Sequence, residues 1–459
     1  MSIDVLPDEV LLAIFDFCVD EHPFANDEKK EIEAWQSLVH VCQRWRSVVF
    51  GSPHRLNLRL VCTSGTPARD TLDVWPALPL LILASVFETS SVDNIIAVLE
   101  HSDRVCGIYL VVIPSSQLEK VSTAMRGPFP MLTNLRLHSD EETPVLPDSF
   151  LGGSAPRLQQ LWLERISFPG LPKLLLSATL YDLSLYDIPH SGYFSPDAMV
   201  TALSTLTCLE YFLLQFQSPR SSPYREGRRP PPLTRTVLPV LTDLKFKGVS
   251  EYLDDLVARI NSPRLKDLDI TFFNQIVFNT PQLVQFIGRT QMNTPERASV
   301  TCSVDAARVR LSPRTSSTTS LNVEIPCIEL DWQVSSLEQV FTSCLPPLYT
   351  LEDLYIDDQK PDWQDNIENA LWLELLRPFA TVENLYLSKE FARRIVPALQ
   401  ELVGGRTTEV FPALQNIFLE GLQPSGSVQE GIAHFAATRQ ATGHPITISR
   451  WDRGEELDN

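Results

Sequence analysis

The sequence lacks the features that mark secreted, disulfide-rich and membrane-spanning proteins. It has no Asn-x-Ser/Thr glycosylation acceptor, and its eight cysteines form no Cys-x-x-Cys pair. No apolar run reaches the roughly 20 residues that a bilayer-spanning helix needs, and the N-terminus has no basic region followed by a signal-type apolar segment. We therefore expect reduced core cysteines and a soluble protein of the cytoplasm, the nucleus or both.

Sequence motifs for catalysis are absent as well. There is no G-x-x-x-x-G-K-[ST], G-x-G-x-x-G or G-x-S-x-G motif, and none of the eight histidines has a His or Cys partner at metal-binding spacing. His138, in "HSDEE", stands near carboxylates and allows two interpretations, a ligand or base cluster and a solvated loop. We therefore expect no enzyme activity, no metal and no cofactor in this chain.

Basic residues are few, because 38 Lys and Arg stand against 57 Asp and Glu and give a net charge of −19. Such a surface repels nucleic-acid phosphates and anionic lipid, so we expect neither as a partner. The stretch 218–236, "SPRSSPYREGRRPPPLTRT", is the basic exception and is typical of an exposed flexible loop. Its arginines allow either the capture of a phosphorylated or acidic partner or no partner at all.

One short phrase recurs along the chain: an apolar residue, two variable residues, an apolar residue, one variable residue and a final apolar residue. Successive copies start 22 to 32 residues apart, with one gap of 60. A proline often stands two residues before the phrase, where it ends a helix and leaves an extended entry into a strand. The copies are VCGIYL at Val105, LTNLRL at Leu132, LQQLWL at Leu158, LYDLSL at Leu180, LEYFLL at Leu209, LTDLKF at Leu241, LKDLDI at Leu265, IPCIEL at Ile325, LEDLYI at Leu351, VENLYL at Val382 and LQNIFL at Leu414.

This pattern resembles a leucine-rich repeat solenoid, in which each phrase is a short parallel strand whose apolar members point into a continuous core. The Asn or Cys that usually follows the last apolar position is mostly absent, so we expect no internal Asn ladder and an irregular horseshoe or arc. The gap of 60 residues predicts one degenerate unit around "RASVTCSV" or "ARVRLS". A second flexible insertion is predicted at 311–320, "LSPRTSSTTS".

The N-terminal stretch "LPDEVLLAIFDFCV" predicts a helix that is apolar on most of its circumference. Trp35, Leu38, Cys42, Trp45 and Val49 then fall at helical spacing and predict a second helix with an apolar stripe. Two short apolar helices cannot bury one another well, and each exposed large apolar side chain forfeits about 1.5–3 kcal/mol of burial. The pair therefore calls for a partner surface.

The combination of Leu-Pro-x-Glu, an Ile-Phe pair and Val-Cys-x-x-Trp-Arg in these two segments resembles an F-box. That resemblance implies docking on the Skp adaptor of a cullin–RING ubiquitin ligase. An acidic insertion at about 20–33 departs from the family pattern. The order of the parts resembles the F-box proteins with leucine-rich repeats of basidiomycete, mushroom-forming fungi. The residues that the resemblance assigns to the adaptor contact and the small core beneath it are Leu6, Pro7, Val10, Leu11, Ile14, Phe15, Val41, Cys42 and Trp45.

The predicted fold class is α/β, with an N-terminal all-α F-box hairpin followed by an irregular leucine-rich-repeat solenoid, its parallel strands concave and its helices and loops convex. We expect an F-box domain at 1–55, a connecting segment with the first solenoid strand and helix at 56–104, a degenerate solenoid at 105–453, and an acidic tail at 454–459. An apolar hairpin that merely caps the open end of the solenoid is the alternative.

The residues between the last two apolar positions of each phrase, and the residues that follow the phrase, are predicted to face the concave side. Aromatic and Arg side chains there are typical anchors of protein interfaces. We expect a basic middle, a later half made acidic by residues such as Glu329 and Asp331, and a target protein as partner. The alternatives are plain solvent exposure of these strands and a binding scaffold without a ubiquitin role. The predicted target-binding residues are Tyr109, Arg136, Trp162, Tyr186, Lys245, Lys247, Tyr355, Tyr386 and Phe418.

Overall fold

The structure is a computed structural model, and it divides into two compact units, Met1–Thr179 and Leu180–Asn459. Its elements are helices and mostly parallel strands that alternate along the chain. The residues that the structure describes are 6–17, 34–53, 55–63, 65, 68–85, 91–140, 144–219, 234–273, 278–290, 292, 294–314, 319–358, 367–402, 406, 408–421 and 426–452.

The first unit begins with three short helices and continues with strands and helices in alternation. Its strands form a parallel sheet in the order β1-β2-β3-β4-β5. The elements are α1 (Asp8–Asp16), α2 (Ala34–Val39), α3 (Gln43–Gly51), β1 (Leu60–Thr63), α4 (Ala68–Val74), β2 (Leu80–Ser85), α5 (Ser91–Leu99), β3 (Val105–Ile113), α6 (Ser115–Ala124), β4 (Asn134–Ser139), β5 (Gln160–Glu164) and α7 (Leu171–Leu175).

The second unit repeats the strand-and-helix alternation with one interruption. Its elements are β6 (Asp182–Ile188), α8 (Pro196–Leu203), β7 (Tyr211–Phe216), β8 (Thr236–Val237), β9 (Asp243–Gly248), α9 (Ser250–Val257), β10 (Ile260–Asn261), β11 (Asp267–Phe272), α10 (Pro281–Ile287), β12 (Arg297–Cys302), β13 (Ala306–Ser312), β14 (Ser320–Pro326), α11 (Leu330–Gln339), β15 (Asp353–Asp358), α12 (Asn369–Leu376), β16 (Asn384–Leu387), α13 (Lys389–Gln400), β17 (Asn416–Glu420), α14 (Ser427–Ala441) and β18 (Thr447–Trp451).

The strand order of the second unit shows where the repeat is interrupted. The main sheet runs β6-β7-β9-β11-β14-β13-β12-β15-β16-β17-β18, while β8 and β10 form a separate parallel pair. The strand β13 is antiparallel to both of its neighbours, β12 and β14, whereas β14 lies parallel to β11 and β12 lies parallel to β15. A three-stranded meander therefore joins the two parallel halves of this sheet.

Every phrase of the repeat except IPCIEL forms a parallel strand, which confirms the main part of the repeat prediction. IPCIEL was wrongly placed, because β14 ends at Pro326 and α11 begins at Leu330. The single degenerate unit expected near residue 300 is wrong as well, because two strands of the meander occupy that stretch. A three-residue connection, in which the Ser303 hydroxyl donates to Asp305 at 2.8 Å, can join only antiparallel strands.

The core lies beneath one face of each sheet. Strands such as β4, β9 and β11 alternate strictly between half-buried and buried residues, and helices including α5, α9 and α13 contact the strands. Leu135, Leu244 and Leu268 are among the buried members, at 1% exposure or less. We use the term open face for the opposite side of each sheet, to which the remaining strand residues belong.

A row of polar side chains lines the open face at the first residue of the strands. Asn416 Nδ2 donates to Asn384 Oδ1 at 2.8 Å, and Asn384 Nδ2 donates to Asp353 Oδ1 at 2.7 Å. In the first unit, Asn134 donates to the Gln160 side chain in the same way. The sequence predicted no Asn ladder after the phrase. A hydrogen-bonded row of polar side chains is nevertheless present, at the third position within the phrase.

Asp353 anchors this row to the meander. It is 1% exposed, and its carboxylate accepts from Arg314 Nη2 at 2.9 and 3.0 Å, while Arg297 Nε lies 3.4 Å away. Arg314 lies in the connection between β13 and β14, inside the stretch 311–320 that was expected to be a flexible insertion. The carboxylate of Asp353 raises the pKa of Arg314 further above its ordinary value. The connection is therefore tied to the first residue of β15 by three charged hydrogen bonds from Arg314.

Asp353→Ala is expected to lower the free energy of unfolding by about 2 kcal/mol, because it leaves two guanidinium groups and the Asn384 amide without their acceptor. The midpoint of urea unfolding, followed by circular dichroism, measures the change. Asp452→Ala is the matched control, since it removes an exposed Asp–Arg pair at 2.9 Å that is worth less than about 1 kcal/mol. Equal midpoints for the two variants would contradict the anchoring role.

Candidate protein-binding surfaces

An apolar stripe is exposed along the first helix. Val10, Ile14 and Phe17 follow one another at helical spacing and are 42%, 43% and 91% exposed. Val41, between α2 and α3, is 59% exposed. We call these four residues the N-terminal apolar patch. Three of them, Val10, Ile14 and Val41, belong to the predicted adaptor contact.

The other face of the same helix is buried inside the first unit. Leu11 and Phe15 are 1% and 0% exposed, and the Phe15 ring lies 4.8 Å from the Trp45 ring of α3. These three residues therefore form the small core beneath the surface, while Leu6 is half-buried and Pro7 is exposed at the start of α1. The apolar circumference of the helix is divided between a packed side and an exposed side.

Cys42 divides the predicted second helix into two. Its backbone is extended, at φ −157° and ψ 168°, and its Sγ accepts a hydrogen bond from the Trp45 N–H at 3.4 Å, as an N-cap does. The expected single helix is therefore wrong and is replaced by α2 and α3. Arg44, at the start of α3, contacts Asp8 at 2.7 Å and donates to the Leu6 carbonyl, which holds α1 against α3.

The helices α2 and α3 pack on the segment that follows α4. The Trp35 ring lies 5.2 Å from the Trp75 ring, and the Phe50 ring lies 6.5 Å from it. The three-helix segment is therefore joined to the rest of the first unit by aromatic packing. The acidic insertion expected at 20–33 lies outside the described residues.

On the open face of the first unit, the predicted residues lie in one register row. Tyr109 pairs with Arg136, and Arg136 pairs with Trp162. The Arg136 guanidinium stacks 3.8 Å above the Trp162 ring, an arrangement typical of cation–π pairs. His138 is in β4 rather than in a solvated loop, and its Nε2 lies 3.7 Å from Glu164. The row presents aromatic and cationic surface together.

The open face of the second unit begins with mixed charge. Lys247 forms an ion pair with Asp187 at 3.5 Å, and Lys245 lies 5.7 Å from the Tyr211 ring and next to Asp269. Burial raises the pKa of the Asp269 carboxyl, and the Lys245 ammonium opposes that rise. Burial likewise raises the pKa of Tyr211, to which Tyr186 is hydrogen-bonded. These charges are largely matched within the protein.

Three predicted aromatic residues form a stacked row on the later strands. The rings of Tyr355 and Tyr386 are 4.2 Å apart and inclined by 10°, and those of Tyr386 and Phe418 are 4.5 Å apart and inclined by 8°. Register pairing of β15, β16 and β17 places them side by side. Trp451 of β18 packs 5.9 and 5.8 Å from the two tyrosine rings. We call Tyr355, Tyr386 and Phe418 the aromatic row.

The expected acidity of the later open face is partly wrong. Glu329 is the N-cap residue of α11 and Asp331 lies in its first turn, so neither is in a strand. The meander strands β12 and β13 instead contribute Arg297, Arg308 and Arg310, and these two strands contain no acidic residue. Because the strand was predicted at IPCIEL, the arginines of β12 and β13 were not predicted to lie on the open face.

Some expected features cannot be placed. Residues 220–233 of the arginine-rich stretch and the tail at 454–459 lie outside the described residues. Among the helices that the structure describes, none combines the length and the apolar character that crossing a bilayer requires. Within the described part of the chain, no group of His, Cys, Asp and Glu side chains is arranged to hold a metal ion.

Tyr386→Ala is expected to lower the free energy of unfolding by about 3 kcal/mol, because this ring is 8% exposed and packed between two others. Tyr386→Phe keeps the stacked ring and is expected to change stability by less than about 1 kcal/mol. Thermal unfolding monitored by near-UV circular dichroism compares the two. A similar loss in both variants would show that the hydroxyl, and not the stack, stabilises this region.

Comparison with known proteins does not assign this chain to a family. No protein family matches the sequence, and none of the curated proteins does. One matching solved structure is the leucine-rich repeat-containing protein LegL7 from Legionella pneumophila, which is 12% identical with a TM-score of 0.25; the match covers 83% of this chain and 98% of that chain. A TM-score this low carries no inference from one protein to the other, so the strand-and-helix repeat rests on the registers described above.

Proposed function

We propose that this protein is the substrate-recognition subunit of an SCF-type cullin–RING ubiquitin ligase in the cytoplasm, the nucleus or both. In this proposal the N-terminal helices bind the Skp adaptor, and the open face of the sheets binds a target protein. The chain itself performs no chemistry. It raises the effective concentration of the target near the ubiquitin-charged partner enzyme, which is a gain from proximity alone.

The observation that carries the adaptor half is the exposed stripe of Val10, Ile14 and Phe17 on a helix whose opposite side is packed. Burying the exposed parts of these side chains and of Val41 would stabilise a complex by roughly 25 cal/mol per Å² of apolar area. These positions include three that the F-box resemblance assigns to the adaptor contact. The packed residues Leu11, Phe15 and Trp45 hold the stripe in place.

The target half of the proposal is supported by the open face. Its rows combine aromatic rings with arginine, the side chains that most often dominate the energy of protein interfaces. Arg136 stacked on Trp162 is such a combination in the first unit, and the aromatic row supplies three stacked rings in the second. Both are built on strands, which hold their side chains at fixed spacing before any partner arrives.

Co-expression with a fungal Skp adaptor, followed by size-exclusion chromatography, tests the adaptor half. The wild-type chain is expected to elute as a one-to-one complex. Ile14→Asp combined with Val41→Asp is expected to weaken the complex at least about 100-fold, because each variant places an unpaired charge in an apolar contact. Both positions are exposed, so the variant is expected to remain folded.

Val74→Asp is the matched control, since Val74 is 74% exposed on α4, outside the N-terminal apolar patch. It is expected to bind the adaptor as the wild type does. Phe15→Ala is unsuitable as a surface probe, because Phe15 is fully buried and its truncation would disturb folding. A folded wild-type chain that remains monomeric beside the adaptor would refute the ligase role.

A binding scaffold without a ubiquitin role is the second candidate, with the three helices acting as a cap. The packing of Trp35 and Phe50 on Trp75 favours it, because a cap must be joined to the repeat that it shields. Deleting residues 1–53, which contain all three helices, distinguishes the two candidates by circular dichroism. A cap predicts loss of solenoid stability on deletion even though no adaptor is present.

A further inference from the structure

Two segments of the second unit meet at the edge of the sheet where β12 and β14 end. These strands run in the same direction, because each is antiparallel to β13 between them. The turn at 303–305 follows β12 and the link at 327–329 follows β14. The Cys327 N–H donates to the Asp305 carbonyl at 2.7 Å, so the turn and the link lie side by side.

A buried side chain of α11 fixes this helix to both segments. Gln333 is 0% exposed, and its Nε2 donates to the Ser303 carbonyl at 2.9 Å and to the Cys327 carbonyl at 2.6 Å. Both hydrogens of the amide are therefore used to hold the turn, the link and the helix together. We call this hydrogen-bonded meeting of the three pieces the junction.

Each of the three pieces exposes one large apolar side chain. Val304 in the turn is 48% exposed, Ile328 in the link is 71% exposed and Trp332 in α11 is 44% exposed. Each of them is the direct sequence neighbour of a residue whose hydrogen bonds form the junction. We call these three residues the edge patch. Apolar side chains gathered on a fixed support are typical of a protein-binding surface.

Three carboxylates border the edge patch, and we call them the acidic rim. They are Asp305 in the turn, Glu329 in the link and Asp331 in the first turn of α11. All three are exposed, and no cationic side chain of the described residues forms an ion pair with them. Arg308 of β13 is paired with Glu324 instead, at 2.7 Å. The surroundings of the edge patch therefore carry net negative charge.

An apolar centre with an acidic rim selects a basic partner. The methylene groups of Lys and Arg can cover apolar surface while their charged ends bind carboxylates. A second copy of this chain is a poor occupant, because it has a net charge of −19 and would bring a second acidic rim to the contact. Trp332 adds a side-chain type that often dominates the energy of protein interfaces.

We propose that the edge patch binds a partner protein through a segment in which apolar residues are flanked by Lys or Arg. The apolar residues contact Ile328 and Trp332, and the basic residues on either side bind the acidic rim. This inference goes beyond the proposed function, because it assigns a partner to the end of the meander and not to the open face. It is independent of adaptor binding.

A labelled peptide tests the edge patch with the full-length protein. The probe is Gly-Ser-Arg-Lys-Leu-Leu-Lys-Arg-Ser-Gly, and fluorescence anisotropy measures its binding. Replacing both leucines by serine is expected to weaken binding at least about 10-fold, and replacing the four basic residues by Glu is expected to abolish it. Raising the salt concentration from about 50 to about 300 mM is expected to weaken binding as well. Equal binding of the serine peptide would show mere attraction of a basic peptide to an acidic chain and would overturn the proposal.

Variants of the protein locate the binding site. Ile328→Ser is expected to weaken binding at least about 10-fold, because it removes the most exposed apolar side chain of the edge patch. Val74→Ser is the matched control, since Val74 is 74% exposed on α4, and its expected change is less than about 2-fold. Wild-type affinity in Ile328→Ser would overturn the proposal.

The acidic rim is tested in the same way. Asp331→Asn is expected to weaken binding about 5-fold, because it removes one charge beside the edge patch. Glu430→Gln removes the same charge from the first turn of α14 and is the control, with an expected change of less than about 2-fold. Equal losses in the two variants would show that only the net charge matters and would overturn the proposal.

Two other occupants of the edge patch give different results. A concentration-dependent dimer in light scattering that Ile328→Ser abolishes would make a second copy the occupant. Peptide affinity that rises about 10-fold when residues 220–233 are deleted would make the arginine-rich stretch of this chain the occupant. Either result would overturn the assignment to a partner protein. Adaptor binding without peptide binding would refute the edge patch alone.

Discussion

The register between neighbouring strands is the constraint on which the rest of the structure depends. Strands that pair in register place equivalent residues about 4.8 Å apart, so a residue type repeated in the phrase becomes a row in space. Leucines at the inward positions become the core, and Asp353, Asn384 and Asn416 become a hydrogen-bonded polar row. Tyr355, Tyr386 and Phe418 become a stack of nearly parallel rings for the same reason. No separate cause is needed for each row.

The meander of β12, β13 and β14 shows that the register between neighbouring strands is kept even where the strand direction reverses. Two strand reversals leave β14 parallel to β11 and β12 parallel to β15, so the parallel halves continue on either side. The alternation of inward and outward side chains does not depend on strand direction, and the open-face row therefore crosses the meander unbroken. The residue types in that row do change, because the meander strands contribute arginines and Ser299. The anchoring of Arg314 on Asp353 fixes this inserted piece to β15.

The first helix illustrates a different division of one apolar surface. Its sequence contains more apolar residues than one packed face requires. Some of them are packed inside the first unit, and the others are exposed. Leu11 and Phe15 complete a small core with Trp45, while Val10, Ile14 and Phe17 remain at the surface. A folded helix with an exposed apolar stripe presents a rigid binding surface, because its backbone is held by the packed side. The adaptor role assigned to that stripe is the proposal that the co-expression experiment addresses.

The sequence by itself determined where most strands lie, which of their residues point inward, and which face carries Arg136, Trp162 and the aromatic row. It also contained the polar row, since the third phrase position is Asn, Gln or Asp in eight of the eleven copies. Only the tertiary structure decided the direction of the strands between residues 297 and 326, and with it the neighbourhood of Tyr355. Period-two alternation is the same for parallel and antiparallel strands, so local pattern cannot reveal direction. Likewise, the apolar pattern of the first helix could not show which side is covered, because that depends on Trp45, which lies 30 residues away in sequence.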